Sequence, residues 1–288
     1  MKIAIASGKG GTGKTLVSTN LYNIITKDYS NCVLLDCDAE EPNDLVFFDT
    51  KLQSIKTVNQ DVPVIDESKC TYCGKCYDYC NYNAIFILPQ SKIIKVIDDL
   101  CHSCGACSVA CNYNAISQKE VLLGNVNTHI ANTGNVIIEG RTKVGVYSPI
   151  PIIKSLIKEA EKFDYVILDS PPGTSCPFIQ TVTSADFVIL VTEPTPFGLS
   201  DLKQSIETLD TMNKKCAVII NKADLGDSEI YNYLDSKKIE ILMEIPFDRE
   251  IANYYSKGEL FSDYMTEWKE KFLLMFQQIE KKYGNSNN

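Results

Sequence analysis

The fold is decided by the stretch Gly8-Lys9-Gly10-Gly11-Thr12-Gly13-Lys14-Thr15. It fits the pattern G-x-x-x-x-G-K-[ST], whose glycines let backbone N–H groups close around phosphate oxygens at the start of a helix. An apolar run at 3–6 predicts a strand before the stretch, and residues 16–25 have the pattern of a helix after it. A plain tight turn is the alternative, and the complete octet between strand and helix argues against it.

The roles of the octet follow from phosphate chemistry. We expect Lys14 to bind the β- and γ-phosphates of a nucleotide and the Thr15 hydroxyl to ligate Mg²⁺. The rest of the predicted cradle consists of Gly8, Gly10, Gly11, Thr12 and Gly13.

Carboxylates follow two later apolar runs that have the pattern of buried parallel strands. Asp36 and Asp38 follow the run at 32–35, and Asp169 follows the run at 165–168. Because the carboxyl ends of parallel strands border the ligand crevice, these side chains are expected beside the phosphates. The arrangement at Asp169 is that of a Walker B aspartate, which holds Mg²⁺ through water. For Asp36 and Asp38 the alternative is an acidic loop that only caps a helix.

An internal repeat interrupts the alternation of strands and helices between residues 60 and 119. The pattern C-x₂-C-x₂-C-x₃-C occurs twice with an offset of 31 residues, and bacterial two-cluster ferredoxins use this pattern. The fourth cysteine of each copy is expected to cross over to the other cluster. One [4Fe–4S] cluster would then take Cys70, Cys73, Cys76 and Cys111, and the other Cys101, Cys104, Cys107 and Cys80. Zinc is the alternative, but a four-ligand zinc site has no need of this repeated spacing.

The composition sets limits on location and partners. The chain has 288 residues, twelve cysteines, a formal net charge of −9 and a pI near 4.9. The acidic balance argues against a nucleic-acid partner, and no apolar run approaches the roughly 18 residues of a membrane span. Since the chain enters its first strand at once, we expect no signal peptide and a cytoplasmic location. Cysteines in that compartment indicate metal or redox chemistry rather than disulfides.

The phosphate loop with its early Lys9, together with Asp169-Ser170-Pro171-Pro172-Gly173, resembles the deviant-Walker ATPases. These include the MinD/ParA group, Mrp-type iron–sulfur carriers and the nitrogenase iron protein. The resemblance implies that Lys9 reaches across a nucleotide-sandwiched dimer to the partner's phosphates. It further implies that Asp38 orients the attacking water, that Asp36 lies near the Mg²⁺ shell and that the Gly173 N–H senses the γ-phosphate. Asn221, after the strand pattern at 216–220, would contact adenine.

These features predict a doubly wound, mostly parallel α/β P-loop sheet with an inserted small α+β ferredoxin-like domain. The predicted ATPase segments are 1–59 and 120–288, and the insert is 60–119. We expect ATP hydrolysis coupled to low-potential electron transfer through two [4Fe–4S] clusters. An iron–sulfur or metallocofactor carrier or maturation factor is the alternative. The expected partners are a second copy or a paralogous ATPase in a dimer, and a redox or metallocluster acceptor protein.

Three features remain open at the level of sequence. Cys176 lies seven positions after Asp169, where the nitrogenase iron protein has a bridging cluster ligand; a small buried residue at a helix start is the expectation. The apolar spacing at 265–283 predicts a helix docked against the domain, with a membrane-binding helix as the alternative. The tyrosines of the repeat are expected to shield the clusters: Tyr72, Tyr77, Tyr79, Tyr82 and Tyr113.

Overall fold

The computed structural model describes residues 1–284, so the last four residues of the predicted ATPase segment lie outside the described residues. The strands are β1 Lys2–Ala6, β2 Cys32–Asp36, β3 Thr50–Ile65, β4 Ile85–Leu88, β5 Ile93–Val96, β6 Ile116–Ala131, β7 Val136–Thr142, β8 Tyr165–Asp169, β9 Phe187–Thr192, β10 Cys216–Asn221 and β11 Ile241–Ile245. The helices are α1 Lys14–Asp28, α2 Lys75–Asp78, α3 Ala106–Ala110, α4 Ile150–Glu159, α5 Cys176–Thr183, α6 Pro196–Thr211, α7 Glu229–Lys237, α8 Arg249–Ser256, α9 Phe261–Tyr264 and α10 Thr266–Tyr283.

A largely parallel sheet forms the centre of the larger part of the chain. Its strand order is β11-β10-β9-β1-β8-β2-β7-β6-β3, and β1 pairs in parallel with both β8 and β9. The strands β2 and β9 are buried along their whole length, as expected of parallel strands that helices cover on both faces. In the register, Asp169 lies opposite both Ile5 and Asp36, so the strand ends meet at one edge. The predicted mostly parallel P-loop sheet is confirmed.

Helix α10 packs into the core of this unit. Its Trp268, Phe272, Met275, Phe276 and Ile279 are all buried, at 4% exposure or less. The Phe276 ring makes edge-on contacts with Tyr29 and Tyr165 at 4.9 and 5.7 Å between centroids. The docked helix predicted from the 3–4 spacing is therefore confirmed. No helix in residues 1–284 has both the length and the apolar character needed to cross a bilayer.

The chain divides into two compact units. The larger comprises Met1–Lys56, Val126–Arg141 and the chain from Ile152 onward, and the smaller comprises Thr57–Asn125 and Thr142–Pro151. The smaller unit contains the cysteine repeat, the short helices α2 and α3 and the antiparallel pair β4–β5. In this pair Ile87 lies opposite Ile94, and Ile85 and Ile94 are buried in a small apolar cluster with Cys107.

Candidate functional site

A cavity of about 460 Å³ opens at the carboxyl edge of the parallel sheet. The phosphate loop, the loop after β2, the end of β8 and helix α8 all contribute to its wall. The residues that line it include Gly10, Gly11, Gly13, Lys14, Thr15, Asp38, Asn43, Asp169, Asn221, Lys222, Phe247 and Tyr255. Seven residues predicted for nucleotide or Mg²⁺ binding from separate stretches thus border the same space: Gly10, Gly11, Gly13, Lys14, Thr15, Asp169 and Asn221.

The backbone of the phosphate loop requires glycine at position 13. Gly13 has a φ of +102°, and a Cβ there would lie 2.5 Å from the Nδ2 atom of Asn221. That same amide nitrogen donates a hydrogen bond to the Thr12 carbonyl at 2.9 Å. Helix α1 begins at Lys14 and has no acidic residue in its first turn, so its N-terminal N–H groups suit an anion. Asn221 therefore fixes the loop as well as facing the cavity.

Lys14 is buried at 8% exposure, which is unusual for a lysine. Burial lowers the pKa of its amine, while the charges of Asp169 and Asp38 act in the opposite direction. A bound polyphosphate would supply the counter-charge that this buried cation needs.

Buried carboxylates stand beside the phosphate loop. The Thr15 hydroxyl donates to Asp169 Oδ2 at 2.8 Å, whereas no hydrogen-bond donor of the described residues reaches Asp169 Oδ1. Neither carboxylate oxygen of the fully buried Asp44 receives a donor from the described residues either. Burial raises the pKa of both groups, and the charges of Asp36 and Asp169 raise the pKa of Asp44 further. These unsatisfied oxygens next to a hydroxyl suit a hard cation such as Mg²⁺.

The carboxylate of Asp36 is engaged by the backbone of its own loop and is not placed as an open metal ligand. Its carboxylate accepts hydrogen bonds from the backbone N–H groups of Asn43 and Asp44 at 2.7 and 3.0 Å, and from that of Asp38 at 3.1 Å. It therefore holds the shape of the loop after β2. Asp38 lies in that loop and lines the cavity; burial, together with the charge of Asp169, raises its pKa to about 6.

Besides Asp36, four of the predicted residues lie outside the lining of the cavity. A Cβ on Gly8 would meet the Asp201 carbonyl oxygen at 2.5 Å, so this glycine allows close packing behind the loop. Thr12 is buried there as well. Gly173 has a φ of +86°, and its N–H donates to the Ser7 carbonyl at 3.1 Å. Lys9 points to Glu193, with 2.7 Å between its Nζ and the Oε1 atom.

Two small cavities in the smaller unit each have four cysteines in their walls. One is lined by Cys70, Cys73, Cys76 and Cys111, and the other by Cys80, Cys101, Cys104 and Cys107. These are the two crossed sets expected from the repeat. Backbone conformation repeats with the same offset, since the left-handed φ of +56° at Tyr72 recurs as +54° at Ser103. The N–H groups of these two residues donate to the Sγ atoms of Cys70 and Cys101 at 3.4 Å.

The thiols do not converge on a single point. In residues 1–284 no group of three or more His, Cys, Asp or Glu side chains is placed to hold one metal ion. A cubane has four irons, each of which takes its own thiolate, so its ligands surround a volume instead. Burial raises the pKa of Cys76 to about 11, so this thiol is protonated at neutral pH when no metal is bound.

The side chains around these cavities correct two expectations. Tyr72, Tyr82 and Tyr113 line the cavities, but Tyr77 and Tyr79 lie outside the lining and are 47% and 60% exposed. The expected burial of Cys176 is also wrong. It begins helix α5, but the buried face of that helix carries Phe178, Thr181 and Val182, and Cys176 lies on the exposed face with Ile179.

The sequence alone did not indicate Glu193, Asp44 or Tyr255. Glu193 is the first residue after the buried strand β9, and a charge at that position is the signal that could have drawn attention to it. Asp44 follows the acidic stretch after β2, and nothing in the sequence distinguishes it from the other carboxylates there. Tyr255 lies on α8, some 240 residues from the phosphate loop, and no local pattern links the two.

Comparison with known proteins gives a consistent result. The family described as the CobQ/CobB/MinD/ParA nucleotide binding domain matches residues 3–261. An uncharacterized protein of Methanocaldococcus jannaschii is 33% identical over 284 residues, which is 98% of this chain and 97% of that protein. An iron–sulfur cluster carrier protein of Aquifex aeolicus is 22% identical over 272 residues, which cover 89% of this chain and 60% of the relative.

Among solved structures, the septum site-determining protein MinD from Pyrococcus horikoshii, complexed with Mg-ADP, superposes with a TM-score of 0.57 at 20% identity. The superposition covers 98% of this chain and 97% of that one, and it shows that the two share a fold. With the family match over most of its length, the chain belongs to the CobQ/CobB/MinD/ParA nucleotide-binding family.

Proposed function

We propose that the protein is a Mg²⁺-dependent ATPase whose nucleotide cycle is coupled to two [4Fe–4S] clusters. The observation that carries the ATPase proposal is the single cavity that Lys14, Thr15 and Asp169 share. There the buried ammonium of Lys14 suits the β- and γ-phosphates, and the Thr15 hydroxyl with Asp169 suits Mg²⁺. Bound Mg²⁺ would supply charge neutralisation between the phosphates. Asp36 supports this site by holding the loop after β2.

The residues proposed for the reaction act by orientation and charge. Asp38 borders the cavity and, as a carboxylate, would orient the attacking water by accepting a hydrogen bond from the water O–H. Lys9 would provide a positive charge to the phosphates of a second subunit, as an arginine finger does. Gly173 would exchange its hydrogen bond with the Ser7 carbonyl for one with the γ-phosphate.

The nucleotide base would lie between Asn221 and the loop at Phe247. Both residues line the cavity, and Phe247 is 46% exposed, so an aromatic face is available for stacking. Because the Asn221 amide nitrogen already donates to Thr12, base recognition and loop shape depend on one side chain. We propose adenine as the base and ATP as the nucleotide in preference to GTP.

The two four-cysteine cavities fit [4Fe–4S] clusters because each gathers a complete ligand set in the crossed pattern. A cluster supplies a one-electron store to the protein when bound. The chain's own groups would hold it by thiolate coordination and tune it by N–H donors, such as that of Ala84 to Cys80 Sγ at 3.3 Å. We propose that the dimer, formed with a second copy or a paralogue, passes low-potential electrons to an acceptor protein.

A second function has a specific observation in its favour. Cys73 and Cys104, the second ligand of each triplet, are exposed, so an acceptor protein could reach them. The Aquifex relative is named as an iron–sulfur cluster carrier. In this alternative the clusters are cargo that the ATPase delivers to an apo-protein, and no electron needs to leave.

One anaerobic experiment tests the main proposal. The reconstituted protein is reduced with dithionite and freed of excess reductant by anaerobic gel filtration. Electron transfer to a small viologen-type acceptor and hydrolysis are then followed with Mg-ATP and with Mg-ADP. We expect transfer to be faster with ATP, and the Lys14→Ala variant to lose this difference together with hydrolysis. Equal rates with the two nucleotides would contradict the coupling. Release of iron to a chelator only during ATP turnover, with transfer to an apo-ferredoxin, would favour the carrier.

A further inference from the structure

Three loops of the larger unit meet at one acidic side chain. Strand β9 lies between β1 and β10 in the sheet, and all three run parallel. The loops that follow them therefore emerge side by side at the carboxyl edge. Glu193, directly after β9, stands between Lys9 of the phosphate loop and Lys222, which follows Asn221.

The Glu193 carboxylate binds both lysines, one on each oxygen. Lys9 Nζ lies 2.7 Å from Oε1, and Lys222 Nζ lies 3.1 Å from Oε2. The carboxylate is 16% exposed, against 29% for Lys9 and 38% for Lys222. Burial acts to raise the pKa of Glu193, but the hydrogen bonds from the two lysines outweigh it and the pKa is lowered. We call this arrangement of Lys9, Glu193 and Lys222 the lysine clasp.

The two lysines differ in their relation to the nucleotide cavity. Lys222 lines the cavity, as do Gly10 and Gly11, the residues directly after Lys9. Lys9 is not part of the lining, although all of the phosphate loop lies within the described residues. The Glu193 carboxylate therefore competes with any phosphate for the Lys9 ammonium.

We propose that Glu193 holds Lys9 in a resting position in the single chain, and that Lys222 keeps Glu193 paired when Lys9 leaves. This inference rests on the proposed function, in which Lys9 acts on the phosphates of a second subunit. If Lys9 were the only partner of Glu193, its release would leave the carboxylate unpaired, which is costly for a partly buried charge. With two partners it retains a counter-ion, so the release of Lys9 is reversible. The clasp thus restrains hydrolysis until two chains meet.

The first test measures Lys9 itself and needs no ATPase activity. The nucleotide-free protein is treated briefly with a water-soluble acetylating ester, and modification of each lysine is quantified by peptide mass spectrometry. In Glu193→Gln the amine loses its charged partner, so we expect acetylation of Lys9 to rise about three- to tenfold. In Lys222→Met, where Lys9 is the sole partner of Glu193, we expect it to fall. Lys257, which is exposed, is the internal reference.

The second test measures ATP hydrolysis at low protein concentration. Glu193→Gln should raise the rate several-fold by freeing Lys9, and the double variant Lys9→Ala/Glu193→Gln should lose that gain. The matched control is Glu267→Gln, which breaks an exposed Lys–Glu pair on α10 at 2.5 Å and should leave both readouts unchanged. Thermal unfolding of every variant identifies a loss of folding.

The outcomes separate the clasp from the function on which it rests. If wild-type protein does not hydrolyse ATP, the proposed function fails, and acetylation still decides whether Glu193 restrains Lys9. If wild-type protein hydrolyses ATP but a folded Glu193→Gln variant is slower, with Lys9 acetylated as before, Glu193 has no restraining role and the inference is wrong.

Discussion

Asp38 has a carboxylate that folding makes harder to ionise. Its pKa rises from an ordinary 3.8 to about 6, chiefly through burial and then through the charge of Asp169. A raised carboxyl pKa means that the folded protein holds the proton more tightly than the unfolded chain does. Stability therefore falls as the pH rises from about 4 to about 6, and the penalty is complete above that range.

We predict that Asp38→Asn stabilises the nucleotide-free protein while it abolishes hydrolysis. The full shift corresponds to about 3 kcal/mol, and partial exposure reduces this to about 1–2 kcal/mol at pH 8. The gain should shrink as the pH falls towards about 4, because the folded wild-type carboxyl is then protonated and the unfolded one is about half protonated. Urea unfolding from pH 4 to 8 measures it. An equally or less stable variant at pH 8 would contradict the raised pKa.

Residues within one short motif could be predicted from the sequence, whereas pairs between distant strands could not. Lys14 and Thr15 have fixed positions because the loop and the start of α1 place them, and Asp169 follows from a buried strand with an acidic end. Glu193 and Lys9 are 184 residues apart, and only the adjacency of β1 and β9 brings them together. That adjacency depends on the sheet order, which local patterns do not specify.

Helices α10 and α5 show that the length of an element decides how well its buried face can be predicted from the sequence. The 3–4 spacing of the apolar residues in α10 predicted both the helix and the face that docks. Helix α5 has only eight residues, about two turns. Its apolar pattern is too short to show from the sequence whether Cys176 lies on the buried or the exposed side. Longer elements repeat their pattern and specify their buried face; shorter ones do not.

We predict that docking of α10 contributes a large part of the stability of the larger unit. Phe272 is fully buried, so Phe272→Ala should lower the free energy of unfolding by about 3–5 kcal/mol. Leu274→Ala, on the same helix but 57% exposed, is the matched control and should change it by less than about 0.5 kcal/mol. Denaturant unfolding of both variants decides the question. Similar small losses from both would mean that the helix is not part of the cooperative core.

At the scale of the whole molecule, the chain combines a nucleotide cavity in one compact unit with two cysteine cavities in the other. The repeat predicted which cysteines line the same cavity, and the sharing of clusters between the two copies stays a proposal. The boundaries of the insert, 60–119, stay a prediction. The strands β3 and β6 both continue past those boundaries as uninterrupted runs of 16 residues, and no composition change marks where one unit ends.

The crossed ligand sets lead to a prediction about pairs of cysteines. Cys80 belongs to the first copy of the repeat, but it lines the same cavity as Cys101 of the second copy. We expect Cys80→Ser and Cys101→Ser each to remove about four of about eight irons, and the double variant to lose no more than either one. Cys70→Ser combined with Cys80→Ser should lose about eight, because these neighbours in sequence serve different clusters.

Iron and sulfide analysis of anaerobically reconstituted protein measures these losses, and electron paramagnetic resonance of the reduced variants identifies the cluster that remains. Cys176→Ser is the control; its thiol is exposed and lies outside both cavities, so about eight irons should be retained. If Cys70→Ser with Cys80→Ser removes only one cluster, each copy of the repeat holds its own cluster and the crossed assignment is wrong. The cysteines that line one cavity would then not be the ligands of one cluster.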